Sequence, residues 1–292
     1  MTKNILGFIG GSGVYDIDFI DNKKYIDVKS SWGKTSDKII EGKLNKNSIY
    51  FLSRHGKGHK LSPTSINYRA NIEALKQCGV TDIYSLSAVG SLKKSLTPGT
   101  FVIIDQFIDR TIRRNNSFFN EGIVAHVPMA KPTNKTLMKL AKNTLDKLKI
   151  KNKYGGTYMN IEGPQFSTKS ESKLYKKWGC DVIGMTNATE AKLCREIEIR
   201  YSSISMITDY DCWYDDHDDV DVEMIIQTLN KNAKMSKNFI KNVCIKFYQK
   251  LYFEKDETSK ILNNSIITNR KYWDKKIEKK MEFILKRYKK KR

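Results

Sequence analysis

A chain of 292 residues, 39% of them apolar and with a mean hydropathy of −0.54, is long enough for a sizeable core and too polar for a bundle of membrane spans. No apolar run approaches the roughly 20 residues that cross a bilayer, so no membrane partner is expected. The net charge of +21 raises nucleic acid as a partner, but lysine dominates it, and residues 270–292 alone hold 12 basic and 3 acidic residues. Asn and Ile are also abundant, as an AT-rich coding bias produces, so the charge reads as solvated surface rather than a specific nucleic-acid site. Cys78, Cys180, Cys194, Cys212 and Cys244 are scattered, with no CxxC, which predicts reduced thiols and a cytoplasmic setting.

The N-terminal MTKNILGFIGGSG reads as a strand and a glycine loop, without a signal-peptide core and cleavage site. Apolar Ile5–Ile9 predicts a strand ending at Gly10-Gly11-Ser12-Gly13, and Ile49–Leu52 one ending at Ser53-Arg54-His55-Gly56. A helix follows, with Pro63 and Thr64 near its start and Gly79 at its end. Asp82–Ser87 is a strand running into Ala88-Val89-Gly90, and Phe101–Asp105 is a strand after a Pro98-Gly99 turn. Lys135–Leu148 predicts a helix, Tyr158–Glu162 a strand, Glu171–Trp178 a short helix, Asp181–Met185 a strand and Ala188–Glu196 a helix. Tyr201–Ile207 is a strand that leads into Thr208-Asp209-Tyr210-Asp211-Cys212-Trp213, and Glu223–Leu251 has helical spacing. Residues 254–267 read as the loosest segment. In Lys271–Arg292, Trp273, Ile277, Met281, Ile284 and Tyr288 form one apolar stripe on a basic helix; docking by that stripe on its own subunit or a neighbour is the favoured reading, against an anionic membrane surface or a nucleic-acid tether. The alternation of strands and helices is that of an α/β fold.

Ligands in such sheets gather at the C-terminal ends of strands. Those ends carry Ser12, Arg54-His55, Ser87-Ala88, Met185-Thr186 and Asp209-x-Asp211. Asp209 and Asp211, two residues apart, face the same way and meet one planar ligand edge. Such a pair accepts from an exocyclic amine and delivers a proton to a ring nitrogen. Neighbouring acids and burial should raise the pKa of Asp209. Arg54 offers a fork of donors that fits phosphate, and His55 a further contact. His55-x-x-x-His59 has metal-like spacing, but Gly56 and Gly58 break the helix it needs, so no metal site is expected. Gly10-Gly11-Ser12-Gly13 fits neither the dinucleotide fingerprint nor the Walker motif. Phe166, in Glu162-Gly163-Pro164-Gln165-Phe166, could stack on a base or a sugar.

In order, IGGSG, SRHGKGH, NYRANIEALK, SAVGSL, PGTFVIIDQFIDRT, IEGPQFST, GMTNATEAKLCRE and TDYDCW resemble the methylthioadenosine phosphorylases, members of the trimeric purine nucleoside phosphorylases. The likeness covers roughly Ile5 to Leu251. It implies one α/β catalytic domain over residues 1–253, built on a mixed, partly barrel-like sheet flanked by helices, then a C-terminal extension over 254–292. It implies a homotrimer that converts 5′-methylthioadenosine and phosphate to adenine and 5-methylthioribose 1-phosphate, with phosphate as co-substrate and no cofactor. Ser12, Arg54, His55, Ser87, the Ala88 backbone and Thr186 resemble the phosphate ligands. Ser12 and Ser87 stand where close relatives have Thr, which keeps the hydroxyl. Phe166 and Met185 resemble the base and ribose platform, Asp209 the residue facing N7, and Asp211 the one facing the exocyclic amine. Val222 and Ile225 resemble walls of the methylthio pocket, and His126 a residue that reaches a neighbouring subunit's sugar site. A 6-oxopurine phosphorylase would prefer Asn in place of Asp209, whereas a methylthioinosine phosphorylase could share the 5′ pocket.

Overall fold

The computed structural model describes residues 4–11, 19–214, 222–249 and 257–289. Its strands are β1 (Leu6–Gly10), β2 (Asp21–Ile26), β3 (Ile39–Leu44), β4 (Asn47–Ser53), β5 (Asp82–Ser91), β6 (Phe101–Ile104), β7 (Gln106–Asp109), β8 (Asn152–Tyr154), β9 (Thr157–Asn160), β10 (Val182–Gly184) and β11 (Arg200–Tyr210). The helices are α1 (Tyr68–Gln77), α2 (Lys135–Lys147), α3 (Lys169–Lys177), α4 (Asn187–Glu196), α5 (Val222–Gln249), α6 (Lys275–Lys280) and α7 (Glu282–Lys289).

All of these strands join one mixed sheet. β5 is its trunk, parallel to β1 and β11 and antiparallel to β10 near its end. From it one limb runs through β10 and β9 to β7, and another through β11 to β6 and β8. β6 leads into β7 through the single residue Asp105, so the two limbs meet again and close a barrel-like ring. Val89, Val102, Ile104, Tyr158, Val182 and Ile207 form a buried cluster there. The trunk strands are buried almost throughout, which is why they read as near-continuous runs of apolar and small residues.

Helices cover two sides. On one, Leu137, Ala141 and Leu145 of α2 pack with Phe239, Val243 and Phe247 of α5. On the other, α1 and α4 supply Ile72, Leu75, Ala191 and Leu193. The C-terminal segment docks on that second core through Ile261, Leu262, Trp273, Met281, Ile284 and Leu285. The apolar stripe is therefore buried on its own chain, although the predicted single helix is two, divided at Met281. A docked Leu285, fully buried, makes a specific demand. Leu285→Ala should lower unfolding free energy by about 2–5 kcal/mol in denaturant titration, the usual scale for such a cavity. An unchanged midpoint would show that the segment does not complete this core.

Other boundaries shift for local reasons. α1 begins at Tyr68, not at Pro63, because the Asn67 side chain accepts from the Ala70 amide and caps the helix there. β11 runs on to Tyr210, so Asp209 lies within the strand and Asp211 one residue past its end. Its register against β5 slips between Ile207 and Asp209, which marks a bulge. The segment read as loosest contains a 3₁₀ helix over Glu257–Asn263. No helix among the described residues is long and apolar enough to cross a membrane.

Candidate active site

The C-terminal ends of β4, β5, β10 and β11 surround one cavity of about 720 Å³. It gathers Arg54, His55, Ser87, Ala88, Phe166, Met185, Thr186, Asp209 and Asp211. Nine of the sequence-predicted site residues thus converge on one space. Ser12 lies outside the described residues. Val222 and Ile225 lie in α5, but their side chains are outside the described ones. Leu229, one turn beyond Ile225, lines the cavity. His126 is exposed and is absent from the residues lining the cavity of its own chain; its amide donates to the Ser265 carbonyl.

One end is cationic. Arg54 is fully buried and ion-paired to Glu190, with Nε donating to Oε1 over 2.5 Å. Nη2 donates to Ser85 Oγ at 2.6 Å and Nη1 to the Leu86 carbonyl at 3.1 Å. Burial works against the charge, and Glu190 more than offsets it, so Arg54 stays a cation. One Nη1 hydrogen remains for a ligand. Gly11 makes room for that nitrogen, since a Cβ there would lie 2.4 Å from it.

The His55 ring is held by its Nδ1, which donates to the Leu61 carbonyl at 2.8 Å. Burial, then the Arg54 charge, lowers its pKa to about 4. The neutral ring therefore presents Nε2 as an acceptor, which suits a P–OH proton rather than a bare phosphate oxygen. His59 stacks on it with centroids 4.1 Å apart, rather than converging with it on a point between them. Among the described residues no group of three or more His, Cys, Asp or Glu could hold a metal ion. Ser87 Oγ donates to Asn187 Oδ1 at 2.8 Å, and must rotate to donate to an anion. Thr186 stands at the N-terminus of α4 without a side-chain capping bond, its hydroxyl donating weakly to Asn187 Oδ1 at 3.4 Å, and the positive end of that helix favours an anion beside it.

The other end is acidic. Asp209 accepts from Thr208 Oγ1 at 2.5 Å. Burial first, with the Asp211 charge, raises its pKa to about 6. Asp211 is buried and accepts from the Ser172 hydroxyl; burial raises its pKa too, against that bond. Glu190 and Ser172, which hold Arg54 and Asp211, escaped the sequence reading: each acts through a partner more than 30 residues away, with no spacing signal. Phe166 forms an outer wall and is 84% exposed.

A family model described as the phosphorylase superfamily matches residues 5–244. The S-methyl-5′-thioadenosine phosphorylase of Rhodospirillum rubrum is 51% identical, over 91% of this chain and 90% of its own. That of Bradyrhizobium diazoefficiens is 45% identical, over 97% and 98%. A methylthioadenosine phosphorylase structure from an antarctic soil metagenomic library superposes with a TM-score of 0.91 at 38% identity, covering 98% of this chain and all of the other. The Schistosoma mansoni enzyme in complex with adenine gives 0.82 at 30% identity, over 97% of this chain and 98% of that one. With its strand-end cavity and these relatives, the chain belongs to the phosphorylase superfamily and, within it, to the S-methyl-5′-thioadenosine phosphorylases.

Proposed function

We propose that the chain cleaves 5′-methylthioadenosine with phosphate, giving adenine and 5-methylthioribose 1-phosphate. The observation that carries this reading is one cavity with a buried cation at one end and a carboxyl group of pKa about 6 at the other. Cleavage of the glycosidic bond leaves positive charge on the sugar and negative charge on the base. Phosphate held by Arg54, Thr186, Ser87 and the Ala88 amide stabilises the first and then attacks C1′. Asp209 gives its proton to N7 and so neutralises the second. Asp211, steadied by Ser172, accepts from the exocyclic amine. Because the leaving base takes its proton from Asp209 and the nucleophile is phosphate itself, no step calls for a metal or organic cofactor.

We read the assembly as a homotrimer in a cytoplasmic setting. An exposed His126 outside its own cavity suits a residue lent to a neighbour's sugar site. The test is a phosphate-dependent assay with methylthioadenosine, adenosine, inosine and methylthioinosine side by side, on protein whose mass is measured by sedimentation. Preferred turnover of methylthioadenosine by a trimer is expected. Preference for either 6-oxo substrate would reject the adenine reading.

A further inference from the structure

Tyr158 is fully buried on β9, yet it lines the cavity. Its ring is rooted in the barrel-like ring of strands among Val89, Val102, Ile104 and Ile207, and packs on Phe107 at 5.7 Å between centroids. Its hydroxyl reaches the other way, toward β10. A Cβ on Gly184 would sit 2.0 Å from that oxygen, so only a glycine at 184 leaves it room. Gly184 and the nearby Thr186 both line the cavity. The hydroxyl has no protein partner at full hydrogen-bond geometry, although the Thr186 amide and hydroxyl lie close enough to favour its ionised form, as does the Arg54 charge, so its own O–H is left to donate. A buried phenol without a partner costs free energy unless a ligand or water satisfies it. A phenol O–H that shares its cavity with a buried guanidinium and lies close to a helix N-terminus is a donor for an anion.

We propose that the Tyr158 hydroxyl is a further ligand of the phosphate co-substrate, admitted to the cavity by Gly184. This rests on the phosphorolytic reading above. In that role the phenol adds one charge-assisted bond to an anion that Arg54 and Thr186 already face. It makes Tyr158 and Gly184 a coupled pair, since any side chain at 184 would occupy the place of the hydroxyl.

Tyr158→Phe removes only that oxygen. Two quantities are read on wild type and variant: the thermal midpoint with and without inorganic phosphate, and the separate KM values for phosphate and methylthioadenosine. The expected result has three parts. Without phosphate, the variant melts at the wild-type temperature or above, because no protein bond is lost. The phosphate-induced rise in midpoint shrinks. The KM for phosphate rises roughly tenfold or more, the scale of a hydrogen bond to a charged group, while that for the nucleoside stays put. An unchanged phosphate KM overturns the proposal. So does a rise confined to the nucleoside KM, which would turn the hydroxyl toward the sugar. Wild type that neither turns over nor is stabilised by phosphate would instead defeat the phosphorolytic reading itself.

Discussion

Asp209→Asn should lose turnover of methylthioadenosine by about two to four decades, the usual contribution of a positioned general acid. The swap keeps shape and the bond from Thr208 but removes the transferable proton. The pH profile should change with it. The Asp209 carboxyl is held up to about 6 by burial and by Asp211, so its acid form persists to that pH and fades above it. Wild-type kcat/KM should therefore fall as pH rises through about 6, and the limb should be absent in Asp209→Asn. Because an amide can donate to O6, some activity on inosine should accompany the loss. Near-normal turnover of methylthioadenosine by the variant, with the limb intact, would remove Asp209 from the acid role.

Glu190→Ala should be the most destabilising single change at the site. It leaves the Arg54 guanidinium, 1% exposed, without its counter-charge. Stranding a buried charge costs about 3–5 kcal/mol. Ser85 Oγ and the Tyr201 hydroxyl, which donate to the same carboxylate at 2.6 and 3.0 Å, lose their acceptor as well. With Arg54 freed to turn, the KM for phosphate should rise while that for the nucleoside changes little. A wild-type melting temperature combined with a wild-type phosphate KM would show that Glu190 does not hold the cation. Arg54→Ala would have the mirror cost, since Glu190 would be the group left charged and buried; its loss of phosphate use is best read beside its loss of stability.

Much of the site was legible because strand ends are marked by abrupt changes of composition. Arg54, Ser87, Thr186 and Asp209 each follow an apolar run, and the parallel order of β4, β1, β5 and β11 brings most of those ends to one side. What escaped was of two kinds. β2 reads DNKKYI and is exposed along nearly its whole length, so it carries no apolar signature; its place comes from pairing with β3. Glu190 and Ser172 matter through distant partners, and Tyr158 through the room that a distant glycine leaves for its hydroxyl, and a single chain read by spacing cannot show which buried groups meet. The tail shows an intermediate case. The stripe from Trp273 to Tyr288 marked the buried face correctly, but the step at Met281 that splits α6 from α7 depends on local backbone bonds rather than on the apolar pattern.

The docking of residues 257–289 on α1 and α4 bears on how the protein is made. At about 5–20 residues per second, a ribosome finishes the cavity-bearing strands seconds before it releases α6 and α7. During that interval Ile72, Leu75 and Leu193 lack the cover of Trp273, Met281 and Leu285. A nascent chain at that stage owns every charged group gathered in the described cavity yet shows a greasy flank to its neighbours. Exposed apolar surface of that kind is what chaperones and proteases recognise, and slow codons in the stretch encoding α6 and α7 would lengthen the exposure.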